Sequence, residues 1–199
     1  SIPFDGLVTD VAPTRDGRYL YLAGSTPRRL ARQADGSYAP DTEWVAQRYP
    51  IWGTTYAPAG RYVATDAADN VYYSHGAWST GAPHTVIKYA PNGAFVTRFG
   101  EWANSWGLGT FYWMLGGIAV TADGSTVYTA EVGNNRIQRW TRDSTGAYTA
   151  VSSFGGTAAN DPSRSGACAD SGWAGTFAAP YDVALDADDN VYVINTTCK

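Results

Sequence analysis

Charge is scarce in this chain. Fourteen Lys and Arg and 18 Asp and Glu amount to 16% of 199 residues and leave a net charge of −4. A nucleic-acid surface normally announces itself as a basic face, so no nucleic-acid partner is expected. Histidine is scarcer still: His75 and His84 are the only two, fewer than the three or four ligands a zinc site takes. No apolar run approaches the roughly 18 residues that span a membrane, and leucine-rich periodic stretches, the mark of helices, are missing. The start Ser1-Ile2-Pro3-Phe4 lacks the basic head and apolar stretch of a signal peptide, so an exported form has lost its signal or carries it upstream. There is no nucleophile elbow, phosphate loop or Cys-x-x-Cys pair.

What remains is rich in glycine (22 residues) and aromatics (14%), with 44% apolar residues overall. That mixture suits many short strands and tight turns. One phrase is written four times: Asp10-Val11-Ala12 running to Tyr21, Tyr62-Val63-Ala64 to Tyr72, Gly117-Ile118-Ala119 to Tyr128, and Asp182-Val183-Ala184 to Tyr192. The tyrosines recur every 51 to 64 residues, a spacing that marks a repeat architecture.

Each repeat reads as four strands. In the third, strands at 117–120, 126–130, 136–140 and 148–154 are separated by Ala122-Asp123-Gly124-Ser125, Gly133-Asn134-Asn135 and Asp143-Ser144-Thr145-Gly146, all turn chemistry. The second repeat follows with 85–89, Pro91-Asn92-Gly93 and 94–99; the first has 29–33, Asp35-Gly36 and an outer segment from Tyr38 on to 45–48 with an insert. Repeats of four-stranded antiparallel sheets pack radially, as an all-β propeller, each blade buried only against its neighbours. The approximate repeats are 5–50, 51–107, 108–172 and 173–199, the last truncated.

Pro180-Tyr181-Asp182-Val183-Ala184-Leu185-Asp186, followed by Asn190-Val191-Tyr192-Val193, resembles the NHL-repeat signature. So does Gly133-Asn134-Asn135-Arg136-Ile137-Gln138-Arg139-Trp140, ending in Ser153-Phe154-Gly155. Gly107-Leu108-Gly109-Thr110-Phe111 and Gly175-Thr176-Phe177 are similar to that family's linkers between blades. The resemblance implies a ring of about six blades. The fourth repeat here stops between its second and third strands, so the rest is expected from further blades of the same chain or of another one; a compact four-bladed ring is the alternative. Some propellers of this kind are lyases or lactone hydrolases with metal near the central channel, which implies an enzyme with a divalent metal such as Zn or Ca as the alternative to a binding module.

The meander puts the second-to-third strand loops and the interblade linkers at one end of the propeller. Three insertions fall there, 74–84, 101–115 and 157–177, and long loops in a compact domain are often functional. They hold Trp78, Trp102, Trp106, Trp113 and Trp173. These either pack over the blade tops or form a rim of platforms for a glycan or an extended peptide. Arg29 and Arg136 open the third strands of their blades; they either bind linker carbonyls or face an anionic ligand. His75 and His84 are the weak metal candidates, and would need ligands from further blades. Asp186-Ala187-Asp188-Asp189-Asn190 and Asp66-Ala67-Ala68-Asp69-Asn70 lack the bidentate Glu of a calcium loop and read as turns. Cys168 and Cys198 share the loop end, so a disulfide between them is expected, which points to an oxidising compartment. The resulting expectation is a non-catalytic binding or scaffold propeller, secreted or at the cell surface, without a cofactor, engaging a protein or glycan through its loop-rich face.

Overall fold

The computed structural model describes residues 7–51, 53–56, 59–76, 84–103, 105, 107–112, 115–155, 177 and 179–195. Blade 1 consists of β1 (Val8–Pro13), β2 (Tyr19–Gly24), β3 (Arg28–Arg32) and β4 (Tyr38–Pro40). A hairpin, β5 (Tyr49–Ile51) and β6 (Thr54–Tyr56), leads to blade 2: β7 (Tyr62–Thr65), β8 (Val71–His75), β9 (Thr85–Tyr89) and β10 (Phe95–Phe99). Two short strands, β11 (Glu101–Trp102) and β12 (Thr110–Phe111), precede blade 3: β13 (Leu115–Val120), β14 (Thr126–Glu131), β15 (Arg136–Arg142) and β16 (Tyr148–Phe154). Blade 4 is begun by β17 (Pro180–Leu185) and β18 (Val191–Asn195). Blades 1 to 3 are antiparallel meanders in chain order, and β17 pairs with β18 as the start of another. Among the described residues no helix is long and apolar enough to cross a membrane.

The sheets stack face to face in series. The innermost strand of each blade borders the next: β1 lies beside β7, β7 beside β13, and β13 beside β17. Each junction holds its own apolar layer. Ala12, Tyr21 and Ala23 of blade 1 pack with Val63, Tyr73 and Ile87 of blade 2. Tyr72, Val86 and Phe99 of blade 2 pack with Ile118, Val127, Trp140 and Tyr148 of blade 3. Ala119, Ala130 and Ile137 of blade 3 pack with Val183 of blade 4. Strand alternation makes this possible: Tyr72 turns toward blade 3, its neighbour Tyr73 toward blade 1, and both are fully buried. The fold is an incomplete β-propeller, as the repeated phrase predicts.

Tight backbone approaches explain two glycines. Gly100 has φ +72° and Gly155 φ +92°, where side chains are strained. A Cβ on Gly100 would lie 2.1 Å from Phe111, and one on Gly155 would lie 1.8 Å from Phe177. The linker phenylalanine thus seats directly on the glycine that ends the blade before it, and the Phe177 N–H donates to the Gly155 carbonyl at 2.6 Å.

Blade 1 departs from expectation at its outer edge. Its fourth strand ends at Pro40 instead of running to 48. Trp44 and Ala46 are drawn into the layer between blades 1 and 2. Gln47 then crosses to blade 2, where its N–H donates to the Gly93 carbonyl at 2.9 Å and its Oε1 accepts the Phe95 N–H at 3.2 Å. The 101–115 insertion is likewise tied down in part, since Glu101 and Trp102 pair in parallel with Thr110 and Phe111.

Candidate functional site

The loop end can be built from blade 3. Arg136 opens β15 and is buried. Its Nε donates to Glu131 Oε1 at 3.0 Å, and its terminal nitrogen donates to the carbonyls of Gly107 (2.9 Å) and Thr110 (3.2 Å) in the linker entering the blade. Gln138 adds a bond to the Thr110 carbonyl at 3.0 Å and accepts the Gly109 N–H at 2.9 Å. Asn135 accepts the Ala179 N–H at 2.7 Å in the linker leaving the blade. One second-to-third strand loop therefore grips two linkers. Burial pushes the Glu131 carboxyl up, while the Arg136 guanidinium and its hydrogen bonds pull it back.

Arg29 holds the corresponding position in blade 1 with different partners. Its Nε donates to Asp41 Oδ2 at 2.9 Å, another nitrogen donates to the Pro91 carbonyl at 2.7 Å, and its plane lies 4.0 Å from the centre of the Tyr19 ring. Beside it, where β4 has stopped short, opens a pocket of about 510 Å³. Thr26 and Pro27 of the second-to-third strand loop, Leu30, Pro40, Trp44 and Val45 contribute its walls; Arg28, Arg29, Arg48 and Asp41 contribute its charge, three cations against one anion. Nothing in the sequence marked this pocket except the insert after Tyr38.

Trp102 is half-buried in its parallel pair with Phe111. Trp78, Trp106, Trp113 and Trp173 lie outside the described residues, as do Cys168 and Cys198. His75 ends β8, with its Nδ1 against the Tyr49 hydroxyl. Burial, helped by the nearby His84, lowers its pKa to about 4, so the ring is neutral at pH 7. His84 is buried just before β9. Among the described residues no group of three or more His, Cys, Asp or Glu is arranged to hold a metal.

A second polar cluster forms where the innermost strands begin. The pairing of first with second strand slips between Val8 and Asp10, between Leu115 and Ile118, and between Pro180 and Asp182. Such bulges re-aim the side chains that follow. Asp10 accepts the N–H groups of Val11 (2.8 Å) and, from the next blade, Val63 (2.9 Å). Asp182 accepts the Val183 N–H at 2.8 Å. Burial raises both carboxyls, and the charge of Asp10 raises Asp182 further. Tyr62 meets Tyr181 edge-on at 5.9 Å, and burial together with their hydrogen bond drives the Tyr62 hydroxyl far above its ordinary range. Blades 2 and 4 are not neighbours in the chain, yet Tyr62 and Tyr181 meet where their innermost strands begin, and the charge of Asp10 in blade 1 reaches Asp182 there. The repeated Asp-Val-Ala phrase held the signal, but as a strand pattern it says nothing about which copies face one another.

No family model matches the chain, and no curated protein matches it. Among solved structures it is similar to a protein of unknown function from Bacteroides thetaiotaomicron VPI-5482, with TM-score 0.60 and 17% identity over 96% of this chain and 45% of that one. It is also similar to a structure of the complex of KlAtg21 with the coiled coil of AgAtg16, with TM-score 0.54 and 10% identity over 96% of this chain and 50% of that one. A nidogen/laminin complex matches at TM-score 0.49 and 15% identity over 93% of this chain and 54% of that one. The chain spans about half the length of the structures it matches. At these identities the likeness is one of fold, and it agrees with the stacking of the sheets: the chain is an incomplete β-propeller.

Proposed function

We propose that the chain is part of an NHL-type propeller, secreted or at the cell surface, that acts as a non-catalytic binding or scaffold module and engages a protein through its loop-rich end. The observation that carries this reading is the Arg29 pocket. It has the size of a ligand site, its walls are apolar, and Arg28, Arg29 and Arg48 outnumber Asp41 around it. An apolar side chain flanked by carboxylates on an extended segment complements that lining, since aromatic and arginine anchors dominate recognition surfaces. A neutral glycan would use the walls but not the charge. The similar KlAtg21 structure is itself in complex with a coiled coil.

Selection of displayed random peptides against the chain tests the reading. The expected outcome is enrichment of an apolar residue next to Asp or Glu. The double variant Arg28→Glu, Arg48→Glu then weakens the enriched peptide by about tenfold or more. Glycan-array binding that survives this variant, with no peptide enriched, would replace the protein reading with a carbohydrate one.

A further inference from the structure

The connection between blades 1 and 2 leaves one backbone edge open beside the Arg29 pocket. After β4 ends at Pro40, residues 44–48 run as a strap from blade 1 to the start of β5. Burial alternates along it: Trp44 and Ala46 are buried, Val45 and Gln47 exposed. That is the period of an extended segment, in which successive residues turn their N–H and C=O groups to opposite sides. Blade 2 takes one of those sides. The Gln47 N–H donates to the Gly93 carbonyl at 2.9 Å, and a Cβ on Gly93 would collide with the Val45 carbonyl. Gly93, at φ +85°, is what lets the strap lie so close. Val45 and Gln47 thus face the turn of blade 2, and Ala46 between them faces the other way.

Among the described residues nothing pairs with that other side. Neither the N–H nor the C=O of Ala46 has a hydrogen-bond partner there, although Ala46 is only 8% exposed. Backbone groups at such depth are paired in the great majority of cases. Ala46 also lines the Arg29 pocket, together with Trp44 and Val45 of the strap and Leu30 and Pro40 of blade 1. The pocket therefore has an apolar wall on each side and, on the strap, one free donor and one free acceptor spaced as a strand presents them.

We propose that an extended segment of a partner protein adds to the strap as an antiparallel strand, with an apolar residue opposite Ala46 that exchanges both hydrogen bonds with it. This rests on the peptide reading of the Arg29 pocket, and gives that peptide its conformation and its register. Directly opposed residues of an antiparallel pair share a face, and the Ala46 side chain belongs to the layer between blades 1 and 2. The residue opposite it turns the same way, among Leu30, Pro40 and Trp44, and so is apolar. Its two neighbours turn outward, where acidic side chains meet Arg28 and Arg48 of the same lining. Main-chain bonds supply the affinity and alternate side chains the choice of sequence, the division of labour of strand addition.

Titration calorimetry with the display-selected peptide tests this, in three synthetic forms: unmodified, N-methylated at the apolar residue, and N-methylated at the residue after it. Methylation at the apolar residue removes the donor to the Ala46 carbonyl and is expected to weaken binding by about tenfold or more. One residue on, the N–H points away from the strap, and the loss is expected to stay within about threefold. In the protein, Ala46→Pro deletes the N–H of the other bond. That N–H has no partner among the described residues, and Val45 before it is already extended, as proline demands. The variant is therefore expected to keep its circular dichroism spectrum and to lose about tenfold in affinity. A peptide weakened by Arg28→Glu, Arg48→Glu but indifferent to methylation of its apolar residue and to Ala46→Pro overturns strand pairing and leaves the pocket reading standing. Equal losses from the two methylations overturn it as well. Should Ala46→Pro misfold, the methylated peptides decide alone. If no peptide is selected, the pocket reading falls and strand pairing falls with it.

Discussion

Removing the Asp66 side chain should cost more than removing the lysine it pairs with, and removing both should cost less than removing Asp66 alone. Lys88 Nζ lies 3.6 Å from Asp66 Oδ2, with the two side chains 5% and 2% exposed. At that separation the attraction is about 4–5 kcal/mol at an effective dielectric constant near 20. Lys88 also sits 4.9 Å from the Tyr72 ring, which does not replace an anion. Asp66→Ala therefore leaves a buried ammonium without a counter-charge and is expected to cost about 3–5 kcal/mol. Lys88→Met leaves Asp66 with Ala68, Asn70 and Tyr72 as donors, so its cost is nearer 1 kcal/mol. In the Asp66→Ala background, Lys88→Met removes the unpaired charge and becomes stabilising. Urea unfolding followed by tryptophan fluorescence reads all four corners of the cycle. The Asp66→Ala protein should also gain stability as pH rises above neutrality. Burial already lowers the Lys88 pKa, so the unfolded chain holds the proton to higher pH than the folded one, and stability climbs until the unfolded lysine titrates near 10.4. A Lys88→Met effect of the same sign and size in both backgrounds refutes the reasoning.

Other substitutions follow from the same geometry. Gly100→Ala meets both a φ of +72° and a ring 2.1 Å away, and is expected to lower stability by about 3 kcal/mol in urea, whereas Gly146→Ala, with φ +89° and nothing within 4 Å, bears the backbone cost alone. Wild-type stability should fall as pH drops from about 6.5 to about 4, because the unfolded chain takes up a proton that His75 in the folded chain, with a pKa of about 4, refuses; the loss is on the order of 3 kcal/mol at most, and His75→Gln, compared by urea midpoints across that window, flattens it. Arg136→Ala strands Glu131 in the interior and is expected to cost about 3–5 kcal/mol, with Arg29→Ala costing clearly less because Asp41 can rehydrate; equal shifts in the two urea midpoints would contradict the difference in burial.

The blades were legible because each copy of the phrase carries its own strand period and its own turn. Asp123-Gly124 and Pro91-Asn92-Gly93 punctuate the chain wherever the backbone reverses, so the meanders could be laid out residue by residue. Phe111 and Phe177 in the last two linkers and the glycines ending blades 2 and 3 are visible in the sequence, though their contact is not, since it spans the linker. Blade 1 is less regular than its sequence suggests: the run after Tyr38 reads as a strand because nothing local says that Trp44 is worth more in the interblade layer than on an edge. The axial groups were hidden for a different reason. Tyr62 meets Tyr181, and Asp10 acts on Asp182, only because blades rotate about a common axis, and that angle is a property of packing between sheets.

The turn after the innermost strand shows where a repeat-based reading loses information. Aligning the copies rewards what they share, the Val-Ala step and the tyrosine of the second strand. Where they differ is the residue that opens this turn, Thr14 and Thr121 against Asp66 and Asp186. The Asp66 carboxylate takes its donors from its own blade, Ala68, Asn70 and Tyr72, and its room from the next, where Gly124 lies against it. Thr121 closes its turn on its own Asp123, and Gly124 in the same turn leaves space for the Asp66 carboxylate of the blade before it. At the junction of blades 2 and 3 this turn position therefore sets which blade gives the carboxylate and which receives it. The differences between repeats shape the contact between these two blades, and the likeness between them carries the fold of each blade.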